Sequence, residues 1–163
     1  MITYRRNTAV DYAAMKRLVS ICFGTRQEFE NSFEDGLYIL AEEEGEIIGM
    51  TGIKEQSCRL KGAEVMWTGV RPDYRCKGLI TQLLRTEVER LSPSRDIFCL
   101  CWRINDDKIN LHHAMSVLGF EEITKGYEVC WSDYASLCAN DCVMYKSGCR
   151  CWNDLYLRKG VVQ

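Results

Sequence analysis

The spacing of apolar residues changes several times along the chain, and each change marks an element. Residues 2–6 alternate like a short strand, and Thr8 with Asp11 three positions on has the spacing of a helix-capping pair. A helix is predicted over 9–23, with Met15, Leu18, Val19 and Cys22 as its buried stripe and Gly24 as its stop. Residues 25–34 carry Phe29 and Phe33 one turn apart and read as a short second helix. Strands follow over 37–42 and 47–55, joined by a tight turn at Glu44-Gly45, and a third runs over 63–70 after Lys61-Gly62. Beyond Pro72 the period is helical through Leu79, Leu83, Leu84, Val88 and Leu91, and Ser92-Pro93 ends it. The continuous apolar run 97–102 predicts a strand covered on both faces, and a helix over about 108–118 closes at Gly119. Segments 120–131 and 152–157 are the last two strands. The order β α α β β β α β α β β predicts an α/β sheet with helices packed on it.

Composition narrows the picture. The chain has 163 residues, 47% hydrophobic and 27% charged, which describes one ordinary domain, 1–163, able to bury a core without disulfides or metals. With 21 basic against 23 acidic residues it lacks the electrostatic footprint of a nucleic-acid binder. No run approaches the length of a membrane span, and residues 1–6 lack a signal peptide's apolar segment, so a cytoplasmic location is expected. In that compartment the ten cysteines read as reduced thiols or metal ligands.

The segment from Thr68 to Ile80 holds the most chemistry. It runs from a strand end through a cationic turn, Arg75-Cys76-Lys77-Gly78, into an amphipathic helix. Free amides at a helix N-terminus form an anion site, and Gly78 lets backbone approach a phosphate. On the residues alone, Gly78 could equally ease a strand-to-helix turn between solvated cations.

Here the chain resembles the GNAT superfamily of acyl-CoA-dependent N-acyltransferases. That family has a strand ending in Val-x-Pro, followed by Arg/Gln-x-x-Gly-x-Gly/Ala opening a helix. This sequence has Val70-Arg71-Pro72, then Arg75-Cys76-Lys77-Gly78-Leu79-Ile80, and departs only at Ile80, where a small residue is usual and a bulkier one would narrow the pyrophosphate pocket. Residues 39–53 and Leu118-Gly119-Phe120 extend the resemblance over most of the chain, with a Cys-rich connection at about 132–150 lacking a counterpart.

The resemblance implies a mixed central sheet of about seven strands with helices on both faces, splayed between two central parallel strands. It also implies acetyl-CoA as co-substrate, held by Val70, Arg75, Cys76, Lys77, Gly78, Leu79 and Ile80. A substrate amine would attack the thioester directly, with the Val70 amide as oxyanion donor. Glu64 stands six residues before Val70, where histone-acetylating members carry a general base. Strict alternation would place Glu64, Met66, Thr68 and Val70 on one face, where partial burial would raise a carboxyl pKa. An exposed edge glutamate is the alternative.

The tyrosine that relatives often use as general acid is here Met115, and their asparagine is Lys108. Solvent protonation, His112 or His113 one turn upstream, or Tyr127 on the following strand would have to serve.

Cys138, Cys142, Cys149 and Cys151 concentrate in the connection, a spacing that suits either a zinc knuckle or free thiols. Cys99 and Cys101 share a strand face and read as core. Cys76, between two cations at a helix start, has the surroundings that lower a thiol pKa. The four tryptophans read as packing groups. Two function classes follow. One is an N-acetyltransferase acting on a small-molecule or peptide amine, with no nucleic acid or membrane partner and a homodimer as the assembly to test. The other is a non-catalytic acyl-CoA-binding or protein-interaction module.

Overall fold

The computed structural model of the chain describes residues 1–24, 27–56, 60–91, 93–104, 111–129 and 151–161. Its strands are β1 (Ile2–Arg6), β2 (Tyr38–Glu43), β3 (Glu46–Lys54), β4 (Ala63–Val70), β5 (Ile97–Ile104), β6 (Glu121–Val129) and β7 (Cys151–Arg158). The helices are α1 (Tyr12–Phe23), α2 (Gln27–Ser32), α3 (Leu79–Arg90) and α4 (His112–Val117). Element order matches the sequence reading, and the differences are at the ends. The first predicted helix begins as a separate 3₁₀ turn over Ala9–Asp11, and α2 is shorter than 25–34. Residues 105–110, at the predicted start of the fourth helix, lie outside the described residues. Among the described residues no helix is long and apolar enough to cross a membrane.

The Thr8–Asp11 pair forms as its spacing predicts. Thr8 donates from its backbone N–H (2.8 Å) and its hydroxyl (3.0 Å) to Asp11 Oδ2, and the Arg5 guanidinium grips both carboxylate oxygens at 2.8 Å. The Arg5 fork, aided by Thr8, holds the buried Asp11 carboxyl well below its usual pKa. Asp11→Ala should therefore cost about 2 kcal/mol in urea unfolding at pH 7. Because the folded pKa is depressed, that contribution is complete above the unfolded value near ~3.9 and fades as pH falls through the folded one. A deficit that stays constant down to acid pH would refute the assignment.

Seven strands form one sheet in the order β1-β2-β3-β4-β5-β7-β6. Every neighbouring pair is antiparallel except β4 and β5, so these two central strands are the parallel pair. The turn between β2 and β3 uses Glu44 at φ 52° and Gly45 at φ 82°, the two positive values of a type I′ hairpin, whose twist suits adjacent strands. Both faces are covered. Met15, Leu18 and Val19 of α1 and Phe29 of α2 pack on Tyr38, Leu40 and Met50. On the other face Leu84 and Val88 of α3 and Met115 of α4 pack on Val65, Cys99, Cys101 and Tyr156. Fully burying each such side chain contributes about 1.5–3 kcal/mol, so α3 and α4 are held mainly by this apolar face.

Candidate active site

The site begins where the central pair parts. β4 and β5 are in register only at Ala63↔Ile97 and Glu64↔Phe98; beyond that β5 continues alongside β7 for its full length while β4 departs. The backbone groups that a parallel partner would occupy therefore line a gap that widens toward the C-terminal ends of both strands.

A bulge sets which way β4 presents its residues. Gly52 pairs with Met66 and Met50 with Gly69, so Trp67 and Thr68 together oppose Thr51, and Trp67 takes φ 39°. The Thr51 and Thr68 hydroxyls meet at 2.6 Å. The Trp67 indole N–H donates to Ser32 Oγ at 2.9 Å and its ring packs edge-on against Phe23 and Phe29, fixing the bulge to α1 and α2. The extra residue reverses the alternation. Glu64 and Met66 share the face of α1 and α2, whereas Val65 and Val70 share the face of α3. The single-face reading of Glu64, Met66, Thr68 and Val70 is thus corrected. Glu64 is 8% exposed, at the last paired level before the gap.

Val70 has one further property. The Arg71 N–H donates to Ile48 O at 2.9 Å, which makes Arg71/Ile48 a hydrogen-bonded pair and Val70/Gly49 a non-bonded one. In an antiparallel ladder the amide of a non-bonded residue points away from that partner, here from β3 toward the gap. The Val70 carbonyl points the same way and accepts from Arg75 Nε at 3.3 Å and from the Cys22 thiol at 3.5 Å. Burial pushes the Cys22 thiol pKa up, while Arg75 opposes that shift. Cys22 carried no sequence signal beyond its place in the α1 stripe.

After Val70 a 3₁₀ turn over Pro72–Tyr74 leads to Cys76 at φ 61° and Gly78 at φ 76°, which caps α3. A Cβ built on Gly78 would meet nothing within 4 Å, so the turn is an open cradle facing the N–H groups of the first turn of α3. Its cations divide by role. Arg71 is held by Glu46 (2.7 Å) and Asp73 (2.6 Å), whereas Arg75 and Lys77 pair with no carboxylate among the described residues. Lys77 lies 4.6 Å above the ring of Tyr74, whose hydroxyl is fixed on Glu43 at 2.7 Å. Leu79 is buried against Val70 and Leu83. Ile80 is partly buried and packs against both clusters on the α3 face. Cys76 is exposed.

Met115 is fully buried in the cluster between α3 and α4. His112, on the first turn of α4, places Nδ1 2.8 Å from the Tyr156 hydroxyl, which in turn donates to Glu122 Oε2 at 3.1 Å. Neither Tyr156 nor Glu122 stood out in the sequence, because a chain assembled from one helix and two strands leaves no local spacing to read. Tyr127 falls on β6, and its side chain lies outside what the structure describes. Lys108, Cys138, Cys142 and Cys149 lie outside the described residues. Cys151 is buried as the first residue of β7, and among the described residues no group of three or more His, Cys, Asp or Glu could hold a metal. Cys99 and Cys101 are core thiols, as expected, with their sulfurs 3.6 Å apart.

Residues 11–120 match the family model described as the Acetyltransferase (GNAT) family. A comparison with curated protein sequences finds no match. Among solved structures, the chain is similar to ribosomal-protein-S18-alanine N-acetyltransferase from Escherichia coli, at 15% identity and a TM-score of 0.70, covering 100% of this chain and 96% of that one. It is similar to an IAA acetyltransferase from Bacillus cereus at 17% identity and 0.69, covering 97% and 99%. It is also similar to Arabidopsis thaliana Naa50 in complex with the bisubstrate analogue CoA-Ac-MVNAL, at 14% identity and 0.64, covering 97% and 98%. At these identities the likeness is one of fold.

Proposed function

The chain belongs to the GNAT acetyltransferase family, and on that premise we propose that it moves an acetyl group from acetyl-CoA to a primary amine of a small molecule or peptide by direct attack. The observation that carries this reading is the open cradle at Gly78 opening beside the gap between β4 and β5. A pyrophosphate suits that cradle, where the amides of α3's first turn supply donors and Arg75 and Lys77, which pair with no carboxylate among the described residues, supply charge. The acetyl thioester reaches the gap from the α3 face. There the Val70 amide is aimed to stabilise developing oxyanion charge.

Glu64 stands on the opposite face of β4, so it meets an amine arriving from the side of α1 and α2. Its role is to take the proton that an ammonium group must lose before attack. The bulge at Trp67 makes this arrangement possible: without it, the base and the residue anchoring the donor would face the same way. No covalent enzyme intermediate is required.

Acetyl-CoA at about 100 times its Kd should stabilise the fold by about 2.7 kcal/mol, a rise in Tm of roughly 5–10 °C for a chain of this size. An amine panel with a thiol reagent should then show free CoA released. A Tm rise without thiol release from any amine would favour the binding-module reading, to which the buried Met115 gives its support. No rise would defeat both.

A further inference from the structure

Acetyl transfer leaves a thiolate to be protonated, and Met115 has no proton to give. Resting on the reading above, the geometry points to a relay, Glu122–Tyr156–His112, whose outer end, His112 Nε2, hands the departing sulfur its proton.

Tyr156 is 1% exposed and has its hydroxyl between two partners. A carboxylate only accepts, so the hydroxyl hydrogen goes to Glu122 and His112 must donate Nδ1–H to the phenol oxygen. That fixes the imidazole orientation and leaves Nε2 as the nitrogen that exchanges protons, on a residue that is itself exposed. Burial first, and then the Glu122 carboxylate, push the phenol pKa well above its usual value. Tyr156 therefore keeps its proton and acts as a positioning residue.

The relay also lies on the correct face. Tyr156 stands opposite Cys99, the first β5 residue beyond the last β4 pair. Its cluster joins α4 to Leu84 and Val88 of α3, on the face that presents Val70. Charged and titratable groups surround the relay from β5, β6, β7 and α4. β5 contributes Cys99, Cys101 and Arg103, and Arg103 is paired with Asp154 of β7 at 3.0 Å. β6 contributes Glu122, with Lys125 at 3.6 Å, and α4 contributes His113.

The step balances. The amine nitrogen forms the C–N bond as the C–S bond breaks and its electron pair leaves on sulfur. The reacting form of His112 is the imidazolium, with hydrogen on both ring nitrogens: Nδ1–H stays on the Tyr156 oxygen while Nε2 gives its proton to sulfur. The neutral ring then regains one from solvent that has received the protons shed by the attacking nitrogen. Each ammonium acetylated releases one net proton.

CoA itself is the probe. The ultraviolet absorbance of its thiolate, titrated in complex with the protein, should show a midpoint about one pH unit below that of free CoA, a tenfold gain in thiolate. Tyr156→Phe, which removes only the hydroxyl, and His112→Gln, at an exposed position, should each return the midpoint to the free value while CoA remains bound. If Tyr156→Phe melts early, Glu122→Gln takes its place. One midpoint shared by native and variant proteins, each with CoA bound, would overturn the relay while leaving the acetyl-donor reading intact. Failure of CoA to bind the native protein would overturn the donor reading and the relay with it.

Discussion

Glu64→Gln is expected to slow acetylation of an accepted amine by about a hundred- to a thousand-fold near neutral pH, with little change in the Kd for acetyl-CoA. The substitution keeps size and shape at a position only 8% exposed, so the sheet around it should survive. What the substitution removes is a carboxylate beside the point where β4 and β5 separate, the group proposed to accept the proton. The deficit should depend on pH in a definite direction. At low pH almost every amine is an ammonium and needs the base, whereas at high pH free amine is abundant and the variant should approach the native rate. A loss equal at all pH values would reduce Glu64 to a structural role, and a loss confined to acetyl-CoA affinity would place it on the donor side. Separation of the two roles is expected because Glu64 and Val70 occupy opposite faces of one strand.

Local signals carried much of the fold. The α1 stripe, the Thr8–Asp11 cap, the Glu44-Gly45 turn and the Gly119 stop are each set by residues within a few positions of one another, and each lies where its spacing predicts. The cradle was legible for the same reason, being one continuous strand–turn–helix segment. Two features were not legible. The Trp67 bulge arises from a mismatch between two strands, with Thr51 facing two residues at once, and nothing in the order of residues 63–70 announces it. Reading that strand as strictly alternating therefore put Glu64 and Val70 on the same side. His112, Tyr156 and Glu122 come together only because α4 packs over β7 while β7 pairs with β6, so the sequence offers a histidine without its partners. Ile80 stands out against the motif by its size, and at the second position of α3 its partly buried side chain packs against the clusters of that face.

Gly78→Ala should weaken acetyl-CoA binding by about a hundred-fold, roughly 3 kcal/mol, the scale of one or two charge-assisted hydrogen bonds. Two effects are mixed in any such substitution. A side chain at φ 76° strains the backbone by about 1 kcal/mol whatever surrounds it. Separately, the new methyl would occupy the space through which a phosphate approaches the amides of α3. Gly36 separates these effects. It has φ 74° and likewise nothing within 4 Å of a built Cβ, but it sits before β2, where its N–H donates to Asn7 O, outside the segment from Val70 to Ile80. Gly36→Ala and Gly78→Ala should therefore lose similar stability in denaturant, and only Gly78→Ala should lose affinity. Equal affinities in the two variants would mean that the cradle holds no phosphate. Removing the flanking charges should act through a different term, because Arg75→Ala with Lys77→Ala leaves the amides in place and takes away long-range attraction. Their combined loss should therefore shrink as salt is raised, whereas the loss from Gly78→Ala, a matter of close contact, should persist.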